Sequence, residues 1–96
     1  MLTWILYDIE ITKARTKVAK LCQKFGLYRV QLSCFLGDIN QTELKELSTH
    51  IEDLINPKKD KVYIFPISKD DFDKTILLGR AFDKELVTDE IKALFL

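Results

Sequence analysis

The stretch Tyr28-Arg29-Val30-Gln31-Leu32-Ser33-Cys34-Phe35-Leu36-Gly37-Asp38 decides the fold. Val30, Leu32, Cys34 and Leu36 alternate with Arg29, Gln31, Ser33 and Phe35, and a period of two sends the two sets to opposite faces of an extended segment. The spacing predicts one strand over 28–36 with a wetter face, broken or bent at Gly37-Asp38. Upstream, Leu2-Thr3-Trp4-Ile5-Leu6-Tyr7 is almost continuously apolar and rich in aromatic and branched residues, the pattern of a central strand buried on both faces. Between the two, Thr12 suits an N-cap, and Ala14, Val18, Leu21, Cys22 and Phe25 fall at steps of four, three, one and three, one face of a helix that Gly26 ends.

Downstream, Asn40 followed by Glu43 resembles a capping box, and Leu44, Leu47, Ile51, Leu54 and Ile55 make the apolar stripe of a second helix, stopped at Asn56-Pro57. A basic turn, Pro57 to Lys61, leads to a third strand, Val62-Tyr63-Ile64-Phe65 with Ile67. The order read from periodicity is β-α-β-α-β. Beyond Ser68 come an acidic linker, Lys69-Asp70-Asp71, a further strand at Ile76-Leu77-Leu78, and a charged stretch, Phe82 to Phe95, that permits a helix or a strand. The final Ala93-Leu94-Phe95-Leu96 would be an aggregation hazard if exposed, so it is expected to be covered by its own domain or, preferentially, by a second copy of the chain.

Ninety-six residues offer apolar area for one core, so a single domain spanning 1–96 of α/β or α+β type is expected. With 47% hydrophobic and 31% charged residues the chain is neither low-complexity nor disordered. Cys22 and Cys34 lack a CxxC spacing and are too few for a disulfide framework; both read as small buried hydrophobes. The apolar start is stopped by Asp8 and Glu10 and lacks a basic flank, so neither a signal peptide nor a membrane span is expected, and a cytoplasmic location is.

The formal net charge is zero, which by itself argues against a nucleic-acid binder. Segment counting reverses that. Residues 1–37 hold six positive and two negative side chains, residues 38–56 one and five, and residues 57–96 eight of each. Lys13, Lys17, Lys20 and Lys24 recur at steps of four, three and four, so they line one stripe of the first helix opposite its apolar face, with Arg15 nearby. The stripe is either a solvated helix face or a phosphate-binding ridge, and the second gains weight if a dimer doubles it.

Asp8 follows the first strand directly, at the carboxyl edge of the sheet, where open layouts place ligands; it could equally be an ordinary polar strand end. Glu10 would share its direction only if the strand continued. No HExxH, GxxxxGK[ST], nucleophile elbow or Cys/His cluster marks another active site, and His50, the one histidine, reads as a helix flank or core residue.

The strand end Tyr7-Asp8-Ile9, the helix carrying Arg15, Lys17 and Val18, the run from Gly26 to Asp38 with its Arg29-Val30-Gln31-Leu32-Ser33-Cys34-Phe35 core, and Pro66-Ile67-Ser68 after the last strand occur in one order over residues 2–68. In that order they resemble the small universal CRISPR-associated protein that partners the CRISPR integrase in spacer acquisition. The resemblance implies an α+β, ferredoxin-like β-α-β-β-α-β sandwich with its core in 1–68 and a C-terminal tail, 69–96, whose strand is exchanged in a homodimer. It implies that the two Asp8 carboxylates face each other across the twofold axis and share Mg²⁺ or another divalent cation for endonucleolytic hydrolysis of RNA or DNA, with Asp8 both catalytic and metal-ligating. By similarity Arg15, Lys17, Arg29, Ser33 and Phe35 occupy positions linked to activity or nucleic-acid contact, with Arg15 and Arg29 as phosphate clamps and Phe35 shaping the dimer or the cleft; the helical stripe adds Lys13, Lys20 and Lys24 as candidate nucleic-acid contacts, and Tyr7 and Ser33 are taken as site-shaping. The implied partners are the integrase, duplex DNA and single-stranded RNA, with no membrane. At position 17 the chain has Lys where some nuclease members have arginine, which removes bidentate phosphate recognition there.

Three readings follow: a metal-dependent endonuclease, a non-catalytic DNA-binding scaffold that bridges integrase dimers, and a toxin-like ribonuclease or regulatory ferredoxin-like module outside CRISPR systems.

Overall fold

The computed structural model of the protein describes residues 1–81. Its elements run β1 (Leu2–Asp8), α1 (Thr12–Lys24), β2 (Tyr28–Gln31), β3 (Cys34–Asp38), α2 (Gln41–Leu54), β4 (Lys61–Pro66) and α3 (Lys69–Lys74). The sheet order is β2-β3-β1-β4, antiparallel throughout. This is the ferredoxin-like β-α-β-β-α-β arrangement, and β1 is central, as its sequence predicts.

The deciding stretch is a hairpin, not one strand. It folds back at Leu32-Ser33, with Gln31 opposite Cys34 and Tyr28 opposite Leu36. The alternation runs unbroken through the turn, so periodicity alone cannot locate it. Bonds from Tyr7 and Arg29 to the Leu32 carbonyl, and from Tyr7 N–H to the Ser33 carbonyl, hold the turn. β2 is the half-exposed strand, whereas β3, flanked by β2 and β1, is buried from Cys34 to Gly37. Gly37 does not break β3. A Cβ there would lie 2.7 Å from Leu27 Cδ2 and 3.1 Å from Leu27 Cα, so glycine admits the loop that follows α1.

α1 and α2 pack on one face of the sheet. Val18, Ala19 and Cys22 of α1 and Leu47 and Ile51 of α2 close over Ile5, Tyr7 and Phe35. β1 therefore alternates: Thr3, Ile5 and Tyr7 are buried, while Trp4 and Leu6 reach a second face that is only partly covered. Burial on both faces, expected from the unbroken apolar run, fails because the helices cover one side. On the other side Trp4 lies between Phe65 and Phe72, with ring centroids 6.5 Å away from it in each case.

Helix ends follow the predicted signals with one exception. Gly26 takes φ 83°, and the N–H groups of Gly26 and Leu27 bond back to Gln23 and Cys22, a left-handed termination of α1. The Asn40 side chain accepts from Glu43 N–H at 2.8 Å. Thr12 does not cap: Ile11 precedes the helix without a side-chain cap, and Thr12 is the first helical residue. The acidic linker after Ser68 is helical, because Ser68 caps Asp71 N–H, Asp70 and Asp71 sit at the positive end of the helix, and Asp70 pairs with Lys74 at 2.8 Å. Ile76-Leu77-Leu78 joins no ladder among the described residues, and Ile76 and Leu78 are each 82% exposed. The segment Phe82 to Phe95 and the terminal tetrad lie outside the described residues. No described helix is long and apolar enough to cross a membrane.

Candidate active site

A cleft of about 570 Å³ opens where β1 ends, between α1 and the β2–β3 turn. Asp8, Arg15, Lys20, Arg29 and Ser33 line it together, with Thr16 and Gln23 of α1 and Leu32 of the turn. Five of the ten residues singled out from the sequence thus share one surface. Tyr7 and Phe35 lie buried beneath it, their rings stacked with centroids 6.3 Å apart. Lys13 and Lys17 turn the other way, into a shallow groove shared with Ile11 and with Asp53 and Leu54 of α2. Lys24 is exposed in the last turn of α1 and is outside both. The lysine stripe is therefore the crest between two concavities, and only Lys20 leans toward Asp8.

Asp8 is exposed at the end of β1, opposite Lys61 of β4. The chain turns away after it, so Glu10 does not line the cleft. Its backbone serves the loop instead. Glu10 N–H donates to Asp60 Oδ1 at 3.0 Å while Asn56 N–H donates to Asp60 Oδ2 at 2.8 Å, and these two bonds hold the Asp60 carboxyl below the usual carboxylate range. Arg15 completes the loop: Nη1 donates to the carbonyls of Ile9 at 3.1 Å and Glu10 at 3.4 Å, and Nη2 to Thr12 Oγ1 at 2.8 Å. Arg29 donates from Nε and Nη2 to the Leu32 carbonyl and lies over the Phe35 ring, Cζ 5.6 Å from its centroid. Both arginines face the cleft, but each already braces main chain within it.

Burial raises the Tyr7 hydroxyl above its usual pKa against the pull of nearby Arg29, so the hydroxyl stays a donor. Burial likewise pushes the Cys22 thiol from 9.0 to about 12 and the Cys34 thiol to about 11, which makes both the inert hydrophobes their spacing predicts. His50 is an exposed flank residue of α2, its Nε2 3.9 Å from Glu46 Oε1.

Thr16, Gln23 and Asp60 went unread in the sequence. Thr16, Lys20 and Gln23 fall at steps of four and three, so one flank of α1 was legible as a polar stripe. Asp60 carried no such signal, because one of its two partners, Glu10, is fifty residues away in sequence.

Among the described residues no three His, Cys, Asp or Glu side chains cluster as a metal site. Asp8 offers hard oxygen donors beside open solvent, which suits Mg²⁺, an ion that keeps several waters and takes few protein carboxylates.

This fold, with one exposed carboxylate ringed by cations, coincides with a match to the family model described as CRISPR associated protein Cas2, over residues 1–75. The chain belongs to the Cas2 family. It is 36% identical over 67 residues to the CRISPR-associated endoribonuclease Cas2 1 of Archaeoglobus fulgidus, covering 70% of this chain and 71% of that one. It is 28% identical over 72 residues to a CRISPR-associated endonuclease Cas1/endonuclease Cas2 fusion of Thermoproteus tenax, covering 75% of this chain and 27% of the fusion. Among solved structures, Streptococcus pyogenes Cas2 superposes with a TM-score of 0.73 at 26% identity, covering 82% of this chain and all of that one.

Proposed function

We propose that this Cas2-family chain is a metal-dependent endonuclease that works as a homodimer in CRISPR adaptation, beside the integrase and on duplex DNA or single-stranded RNA. The observation that carries the reading is the cleft itself: Asp8, an exposed carboxylate, shares it with Lys20, a cation suited to a phosphodiester, and with Arg15 and Arg29, whose charges add to the positive field while their donors brace main chain. The names of the Archaeoglobus and Thermoproteus relatives support hydrolysis of a nucleic acid, and fusion to Cas1 in the latter supports the integrase as partner. The CRISPR family match favours this over a toxin-like module outside such systems.

Each residue has a part. Asp8, met by Asp8 of a second copy, would hold Mg²⁺; the second carboxylate offsets the single acidic ligand each chain supplies. Bound there, the ion supplies an activated water and neutralises charge building on the phosphate. Lys20 draws the backbone toward Asp8, Arg15 keeps the Asp8 loop in shape, and Ser33 lends a hydroxyl at the rim. Lys13, Lys17 and Lys24 extend the positive surface along α1, where a duplex can lie.

The half-covered second face supports the dimer. Leu6, Tyr63 and Phe65 are exposed there in one contiguous region of β1 and β4, with Ile76 and Leu78 exposed downstream.

Purified protein with Mg²⁺ is expected to cleave single-stranded RNA or duplex DNA, and Asp8→Asn to lose that cleavage. Equal activity of Asp8→Asn and wild type, under controls free of contaminating nuclease, would sink the catalytic reading and leave the scaffold.

A further inference from the structure

Three donors converge on one main-chain oxygen. Tyr7 Oη donates to the Leu32 carbonyl at 3.2 Å, Arg29 Nε at 3.2 Å and Arg29 Nη2 at 2.7 Å. A carbonyl has two lone pairs, so this one carries more than its usual complement.

The turn has need of the grip. Two-residue hairpin loops favour primed turns, whose positive φ angles suit Gly, Asn or Asp. Here the loop is Leu32-Ser33, and no described residue other than glycine has a positive φ. The β2–β3 register is also irregular between Arg29 and Gln31. Local chemistry leaves this apex underdetermined, and Leu32 is 80% exposed, so side-chain burial does not fasten it either.

The turn is tied in turn to the carboxylate. Tyr7 N–H donates to the Ser33 carbonyl at 3.0 Å, and the next residue along β1 is Asp8. The chain of contacts runs from Arg29 to Leu32, from Leu32-Ser33 to both ends of Tyr7, and from Tyr7 to Asp8. Meanwhile the Nε–Nη2 edge of Arg29, one of the two edges a guanidinium can offer to phosphate as a fork, is occupied by the carbonyl.

We infer that Arg29 is a positioning residue, which fixes the Leu32-Ser33 turn and through it Tyr7 and Asp8, rather than a phosphate clamp. The kinetic consequence rests on the nuclease reading above; the structural one does not. Lysine keeps the charge but cannot deliver two donors in one plane, so Arg29→Lys separates positioning from electrostatics.

The test compares wild type, Arg29→Lys and Tyr7→Phe in three measurements: Mg²⁺-dependent cleavage, anisotropy of a labelled single-stranded RNA across a salt series in an Asp8→Asn background, and amide hydrogen exchange over 31–34. Arg29→Lys is expected to keep RNA affinity within about twofold and the salt slope unchanged. Its kcat falls about tenfold or more with KM held. Exchange over 31–34 accelerates by about tenfold or more. Tyr7→Phe moves kcat and exchange the same way by less. Loss of affinity with unaltered exchange would make Arg29 a phosphate ligand and overturn the inference, as would a variant indistinguishable from wild type in all three. If even wild type fails to cleave, the nuclease reading falls, while exchange and affinity still decide the role of Arg29.

Discussion

Ile5 and Leu6 are neighbours in β1, yet Ile5 is fully buried and Leu6 is 37% exposed. The difference belongs to the two faces of the sheet. Beneath α1 and α2, Ile5, Tyr7 and Phe35 join one cluster with Val18, Cys22, Leu47 and Ile51. On the opposite face Leu36 and Phe72 form a smaller cluster, edged by Trp4 and Val30, and the rest stays open to solvent. One face is finished within the chain. The other leaves Leu6, Tyr63 and Phe65 exposed among the described residues, the kind of apolar patch a second surface can cover.

The largest effect should come from the finished face. Phe35→Ala removes a fully buried ring, its stack with Tyr7 and the support under Arg29, and is expected to lower stability by about 3–5 kcal/mol in urea unfolding. A loss below about 1 kcal/mol would mean that this face is less tightly packed than its burial implies.

On the open face, Leu6 and Tyr63 sit opposite each other in the β1–β4 register, and Tyr63 is 60% exposed. The double change Leu6→Ser, Tyr63→Ser is expected to lower the stability of the monomer by less than about 1.5 kcal/mol. Sedimentation velocity should show self-association weakened or gone. Unchanged self-association would place the dimer contact elsewhere.

The smallest effect separates the faces by their thiols. Cys22, under the helices, is pushed to about 12, and Cys34, which shares the open face with Leu6, to about 11. Each thiol ionises more readily in the unfolded chain than in the folded one, so their contribution to stability is complete below pH 9 and is lost progressively as pH rises through 11 and 12. Alkylation at pH 8 should be slow at both, and on raising the pH Cys34 should react before Cys22. Equal rates would remove the distinction between the faces.

Much of this was legible in residue order. The apolar run of β1, the stripes of α1 and α2, the Gly26 stop and the Asn40 cap are local patterns in which spacing, burial and hydrogen bonding agree. The site was legible in part: Asp8 stands out by ending an apolar strand, and Lys20 by its place in a stripe. The β2–β3 turn was not, because Leu32-Ser33 carries no turn chemistry of its own. The parts of Lys13 and Lys17 were not either, since helical spacing gives a stripe but not the concavities on either side of it.

What the sequence by itself determined is β1, the two long helices, β4 and the family, because these depend on short-range periodicity and on residues in order along the chain. Tertiary structure decided which cations join Asp8 and how the hairpin closes. Both rest on contacts between residues far apart in sequence, such as Tyr7 Oη with the Leu32 carbonyl and Glu10 N–H with Asp60, and no local pattern encodes a bond whose donor and acceptor meet only when the sheet has formed.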